Sequence, residues 1–210
     1  MARKTKEGAL ETRKKILESA LDVMSEKPFS NVSMNDIAMR VGLSKGAVYW
    51  HFKNKNDLLM NLLKDIRDDE MNFFSVPGVI PTGFEDLRGF YKERLIAAMM
   101  SDRIKKIGRL LHQGREWPEE VIGNMMSIFR DMTKRELEIA SEAIKKSQEK
   151  LEIKTDMSPS DISAMISAAF HGLFVYQLHE IYIMDLIDFG KCADFIFDAF
   201  EKKLKIEVND

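Results

Sequence analysis

Cysteine is almost missing from these 210 residues: Cys192 stands alone. An internal disulfide is excluded, cysteine zinc motifs have no second ligand, and a lone thiol suits a reducing cytoplasm. No apolar run approaches a membrane span, and the opening MARKTKEGALE lacks the apolar centre of a signal peptide. A cytoplasmic location with no membrane partner is therefore expected. Alternating apolar and polar residues never run long enough for a strand pattern, and no internal repeat or low-complexity tract occurs. The signatures of common catalytic sites are missing too: there is no HExxH, Walker loop, GxSxG or CxxC. One arrangement leaves a metal-dependent enzyme open as an alternative. His112 and Glu116 stand four apart on one helical face, with His171 or His179 as a possible third ligand. Nothing in the sequence requires that site, so no catalytic residue, metal or cofactor is expected.

What is present is 45% apolar and 31% charged residues, enough for a buried core under a solvated surface. The net charge of −2 hides an asymmetry. Up to Asn56 there are eleven basic against six acidic residues, and the remainder carries twenty-one against twenty-eight. A basic head on an acidic body fits nucleic-acid binding by the head.

The head is organised around Ser33 to Phe52. Ser33 and Asp36 have capping-box spacing, and Met34, Ile37, Ala38 and Val41 form an apolar stripe at helical spacing. Gly42 ends this helix, Leu43 fills the corner, and Ser44 caps a second helix. Val48 and Phe52, four apart, face inward, leaving Lys45, Gly46, Tyr49 and His51 outward. This is a helix-turn-helix pattern. Gly46 and Ala47 give the close approach a recognition helix needs. Ser44 opens a helix N-terminus that favours phosphate, and Lys45, Tyr49 and His51 can reach backbone oxygens or base edges. Ser33, Asn35 and Trp50 complete the face expected to meet DNA. Lys55, at the start of the following helix, is placed to meet a phosphate. The basic arm Met1 to Lys6 is either a solvated tail or a further DNA contact.

The stretch resembles the TetR family of bacterial transcriptional repressors. The matching residues are Thr12-Arg13-Lys14-Lys15-Ile16-Leu17 with Ala20, Asp36-Ile37-Ala38, Val41-Gly42-Leu43-Ser44-Lys45-Gly46, Val48-Tyr49-Trp50-His51-Phe52, and Lys53-Asn54-Lys55 with Leu58-Leu59. The likeness covers roughly Thr5 to Leu63, and its opening residues and Tyr-Trp-His-Phe run are most similar to the multidrug-efflux branch of AcrR and TtgR type. It implies an all-α chain: a three-helix DNA-binding head over 1–53 and a larger ligand-binding and dimerisation domain over 54–210. Residues 55–73 would form a bridging helix. It also implies a repressor that binds a pseudo-palindromic double-stranded DNA operator as a homodimer. A small apolar or amphipathic effector would release it, with an efflux operon as target. Genes of lipid or other apolar-metabolite handling are the alternative target.

Outside the core motif, Leu10, Ile16, Leu17, Ala20, Leu21 and Met24 make the stripe of a helix over about Gly8–Glu26, and Phe29 plugs the head. Asn54 and Asp57 open the bridging helix. Ser75 to Gly83 is the one breaker-rich linker. Helices are then expected over about Phe84–Met100, Asp102–Gln113, Glu119–Lys150, Ile162–Glu180 and Asp188–Lys205, with Ser158-Pro159-Ser160-Asp161 as a strong helix start. Ile162–Glu180 is apolar on nearly every side and needs partners on every side. The last two helices are therefore expected to meet a second copy in a four-helix interface, although one large body could also bury them. Met and Phe residues, with polar residues breaking apolar faces, suggest an effector pocket. Its candidate residues are Met99, His112, Glu116, Phe129, Phe170, His171, Phe174 and Gln177.

Overall fold

The structure is a computed structural model describing residues 6–74, 80–153, 155–178 and 187–204; the side chains of residues 69–74, Met99, Gln177 and Leu178 lie outside that description. Its helices are α1 (Lys6–Glu26), α2 (Met34–Val41), α3 (Lys45–His51), α4 (Lys55–Phe74) and α5 (Phe84–Met100), then α6 (Asp102–His112), α7 (Glu119–Glu149), α8 (Pro159–Leu178) and α9 (Phe189–Leu204). Single 3-10 turns occupy Phe29–Asn31 and Gln113–Glu116. The chain is all-α, as expected. No helix among the described residues is long and apolar enough to cross a membrane.

Packing divides the chain into two compact units. The first is Met1–Glu70 with Lys106–Phe129, and the second is Met71–Lys105 with Arg130–Asp210. This partition by packing differs from the functional one expected at residue 53.

In the first unit, α1 buries Ile16, Leu17, Ala20, Leu21, Val23 and Met24. Leu10, expected on that stripe, is 62% exposed, because the packed face of α1 begins only at Ile16. Phe29 is buried and plugs the head; Val48 and Phe52 turn fully inward. From α4, Leu58, Leu59, Leu62, Leu63 and Ile66 join the same core. So do Ile107, Leu110, Trp117 and Val121. Those last four lie far along the chain, and their periodicity says only that they are buried. The Lys106 ammonium, 2.6 Å from an Asp22 carboxylate oxygen on α1, pins the segment in place.

The second unit packs α5, α8, α9 and the later part of α7. Phe84, Leu87, Tyr91 and Leu95 of α5 meet Ala140, Ala143 and Ile144 of α7, Ile162, Ile166 and Phe170 of α8, and Ala193 and Phe197 of α9. Gly83 caps α5 without a side chain to offer, so the cap comes from α7: the Phe84 N–H donates to Ser147 Oγ at 2.9 Å. Ser147 donates in turn to Glu152 at 2.7 Å. At α8 the expected start is present. Asp161 N–H donates to Ser158 Oγ at 3.1 Å, with Pro159 in the first helical position. Within one chain α8 buries one face, Ile162, Ile166 and Phe170. It exposes Ala164, Met165, Ala168, His171 and Tyr176 on the other. On α9, Phe197 is buried and Phe195 is 75% exposed.

Candidate nucleic-acid interface

The geometry of α2 and α3 is fixed by contacts written into the local sequence. Ser33 is extended, its Oγ accepts from Asp36 N–H at 3.2 Å, and Asp36 accepts from Ser33 N–H at 2.7 Å, closing the capping box. The Lys27 ammonium, 2.9 Å from Asp36, does most to hold that carboxyl down to about 2, with the Ser33 bonds adding to it. At the other end Gly42 has φ +70°, the left-handed conformation glycine adopts without penalty. Leu43 N–H then reaches back to Ala38 O at 2.9 Å. Ser44 restarts the chain as the α3 cap, its Oγ accepting from Ala47 N–H at 3.2 Å. Arg40 reaches Glu26 through both terminal nitrogens and so ties α2 to α1.

The α3 so fixed is two-faced. Val48 is fully buried; Lys45, Gly46, Tyr49 and Trp50 are exposed, Trp50 at 73%. Ala47 and His51 are half-buried between the faces. The Lys45 ammonium lies 5.8 Å from the centre of the Tyr49 ring, and Trp50 meets His51 edge-on at 4.6 Å. Ser33, Asn35 and Ser44 are exposed around the helix starts. A short helix thus presents a cation, a phenol and an indole around a glycine that adds no bulk.

Lys55 is placed differently from the rest. Its ammonium donates to Phe29 O at 2.6 Å and lies 4.3 Å from the centre of the Phe29 ring. Burial first, and nearby Lys27 second, lower its pKa. It ties α4 to the 3-10 turn, and a phosphate would share it with that carbonyl. Sequence reasoning also passed over Arg13, which donates to Asn61 at 2.6 Å and covers the Phe52 ring at 4.9 Å. Its place in the matching run of α1 was the only signal.

The pocket candidates are distributed over both units. His112 and Glu116 are exposed and Phe129 half-buried in the first unit. In the second, Phe170 is buried, Phe174 half-buried and His171 exposed, while Met99 and Gln177 have side chains outside the described residues. The histidines thus face outward rather than interrupting a buried face. No group of three or more His, Cys, Asp or Glu among the described residues could hold a metal. His179, one possible third ligand, lies outside those residues. The second unit does contain a polar cluster that sequence reasoning missed. It joins Tyr91 and Arg94 of α5, Glu136 of α7 and Ser167 of α8. Ser167 donates to Glu136 at 2.7 Å, and Arg94 donates to Phe90 O at 2.6 Å. Burial, with the Glu136 charge behind it, pushes the Tyr91 phenol up, and burial brings Arg94 down to about 10. Tyr91 and Arg94 stand three apart in sequence, but nothing in sequence says which residues of α7 and α8 they meet.

Comparison with known proteins supports the reading of the head. Residues 16–62 match the model of bacterial regulatory proteins, tetR family. The regulator AcrR of Shigella flexneri is 48% identical over 62 residues, 30% of this chain and 29% of that protein. TtgR of Pseudomonas putida is 30% identical over 125 residues, 58% of this chain and 59% of its own. These matches thus span between about a third and three fifths of the relatives' length. In fold, NalD is similar over nearly the whole chain. It is the secondary repressor of the MexAB-OprM multidrug efflux pump in Pseudomonas aeruginosa. The TM-score is 0.69 at 21% identity, covering 95% of this chain and 99% of NalD. The capped helix pair, the two-faced α3 and these likenesses agree: residues 16–62 form the DNA-binding domain of the tetR family of bacterial regulatory proteins, on a chain that shares the fold of NalD.

Proposed function

We propose that this chain is a ligand-responsive transcriptional repressor. As a homodimer it binds a pseudo-palindromic operator and is released by a small apolar or amphipathic effector. The observation that carries the reading is the two-faced α3: Val48 and Phe52 lock it to the head while Lys45, Gly46, Tyr49 and Trp50 stand exposed. Lysines and hydroxyls at phosphates give salt-dependent affinity, and Lys45 is the side chain of this set best able to read a guanine edge. The exposed faces of α8 and α9, with Ala164, Ala168 and Phe195, support a second copy as partner. Two heads in one dimer then read half-sites about one DNA turn, or a multiple of it, apart. Likeness to AcrR, TtgR and NalD favours an efflux operon as the target.

The second unit holds the effector in this reading, and α4 is the moving part because it leads from the head towards that unit. A ligand weakens DNA binding only if it prefers the conformation that fits DNA worse. Coupling of about 1–3 kcal/mol lowers operator affinity roughly 5- to 150-fold, and linkage requires operator to weaken ligand binding equally. The test is a gel-shift titration on duplexes selected from a random pool, over a range of salt. Lys45→Ala should relax sequence preference and Tyr49→Phe should weaken binding to every sequence. Unchanged affinity in both variants would refute the assignment of α3 as the reading helix.

A further inference from the structure

We infer that Arg13 is the positioning residue of the DNA-reading helix, and that it acts through Asn61 and Asp57 rather than by touching DNA. The inference deepens the proposed function and rests on α3 being the helix that reads the operator. Its starting point is that α3 has only seven residues. The Gly42 turn and the Ser44 cap fix where it begins. Where it ends depends on side chains of α1 and α4.

The chain of contacts is continuous. Phe52 closes α3, its N–H donating to Val48 O at 3.0 Å. The next N–H, that of Lys53, donates to Asp57 Oδ2 at 2.8 Å. Asp57 Oδ1 accepts from Asn61 Nδ2 at 3.0 Å, and the same nitrogen donates to Asp57 O at 2.7 Å. Both protons of the Asn61 amide are thereby used, which leaves its oxygen to accept. It accepts from Arg13 Nη2 at 2.6 Å. The Arg13 guanidinium also covers the Phe52 ring, 4.9 Å from its centre. Arg13 therefore holds the end of α3 twice. It does so directly at the Phe52 ring, and indirectly through two side chains one turn apart on α4.

Arg13, Asp57 and Asn61 are all half-buried, so water competes only partly for these bonds. Val48 and Phe52 form the inward side of α3, and Lys45, Tyr49 and Trp50 the outward side. A shift at Phe52 therefore turns the outward side by the same angle. Contacts to phosphates tolerate such a turn, because long side chains can follow the backbone. Contacts to base edges do not, since their hydrogen bonds are directional. Loss of Arg13 should thus cost discrimination between sequences rather than general attraction to DNA.

The test is a fluorescence-anisotropy titration of the full chain over a range of salt, on an operator duplex selected from a random pool and on a scrambled duplex. Arg13→Met keeps an unbranched stem beside Phe52 and removes the donors. It should weaken operator binding about tenfold, the loss of one hydrogen bond from a charged donor. Affinity for the scrambled duplex and the salt slope should stay as they are. Arg13→Lys, which can still donate to Asn61, should recover most of the loss. Asn61→Leu should lose as much as Arg13→Met, and the double variant no more, because both break one chain. Thermal melts confirm folding at the titration temperature, and Asn61→Leu carries the comparison if Arg13→Met does not fold. A lowered melting temperature with unchanged operator affinity would make Arg13 merely structural and overturn the inference. Equal weakening on both duplexes, with a salt slope smaller by about 0.9, would make it a phosphate contact and overturn it too. Additive losses in the double variant would overturn the route through Asn61. Lys45→Ala separates this inference from the reading beneath it. If neither Lys45→Ala nor Arg13→Met changes the operator-to-scrambled ratio, α3 is not the reading helix. If only Lys45→Ala does, the role of Arg13 alone fails.

Discussion

The head closes its helices locally, whereas the second unit adds long-range closure to the local cap of α8. Around α2, α3 and α4 the capping partners stand three residues apart: Ser33 with Asp36, Ser44 with Ala47, Asn54 with Asp57. In the second unit the α5 cap joins Phe84 to Ser147, 63 residues on, and ion pairs join Lys92 to Asp194 and Arg88 to Asp198 across 102 and 110. Local closure lets a short helix pair keep its shape whatever body follows it. Distant closure makes the body's geometry depend on several helices at once. The similarity to known proteins follows the same division, at 48% over 62 residues of AcrR but 24% when 183 residues of the acrEF/envCD repressor are aligned.

The comparison can be broken first at the aromatic core. Phe197 is fully buried among Phe84, Tyr91 and Phe170, with Phe170 at 5.4 Å. Phe197→Ala should cost about 3–5 kcal/mol in urea denaturation. A loss under about 1 kcal/mol would mean these rings do not hold the unit together.

A matched pair of cap deletions sharpens it. Ser147→Ala strands the buried Phe84 N–H and should cost about 1–3 kcal/mol. Ser33→Ala removes an exposed local cap, where water can substitute, and should cost about 1 kcal/mol. Equal losses in thermal denaturation would erase the distinction between distant and local closure.

Ion pairs should matter less. Lys92 meets Asp194 at 2.7 Å with both side chains about a third exposed, so a double-mutant cycle to alanine should give a coupling of about 0.2–1 kcal/mol that fades in high salt. A coupling above about 2 kcal/mol would show that α5 and α9 are held chiefly by charge.

The smallest expected effect is a pH dependence at the α2 cap. Lys27 first, and Ser33 after it, hold the Asp36 carboxyl down to about 2, below its ordinary value of about 4. Its contribution is complete above about pH 4 and is lost as pH falls through about 2. The stability difference between wild type and Asp36→Asn should shrink across that window, read by the circular dichroism of thermal melts. A difference constant from pH 5 to 2 would contradict the assignment.

The legibility of the fold tracks this contrast. Ser33, Gly42 and Ser44 each carry their own structural instruction, so the head's helix boundaries could be read within a residue or two. The core of the first unit was only half legible: periodicity marks Leu110 and Val121 as buried but cannot say they pack with α1 and α4. Among the candidate site residues, the outward positions of Lys45, Tyr49 and Trp50 followed from Val48 and Phe52 being apolar. The ammonium bond of Lys55 to Phe29 O and the Tyr91–Glu136 cluster did not, because their partners belong to other elements. Histidine in an apolar run proved a poor pointer. His171 lies on the exposed face of α8, a face that exists because only one side of that helix is covered within a single chain.

Only two tryptophans occur in the sequence, and the first unit holds both: Trp50, 73% exposed on α3, and Trp117, 4% exposed in the core. Their environments separate their emission, red-shifted for the first and blue-shifted for the second. Intrinsic fluorescence therefore offers two optical channels without a label. Iodide should quench Trp50 alone in the free protein, and a duplex seated on α3 should shield it. A blue band that holds steady during that titration would report an intact core at the same moment that the red band reports DNA.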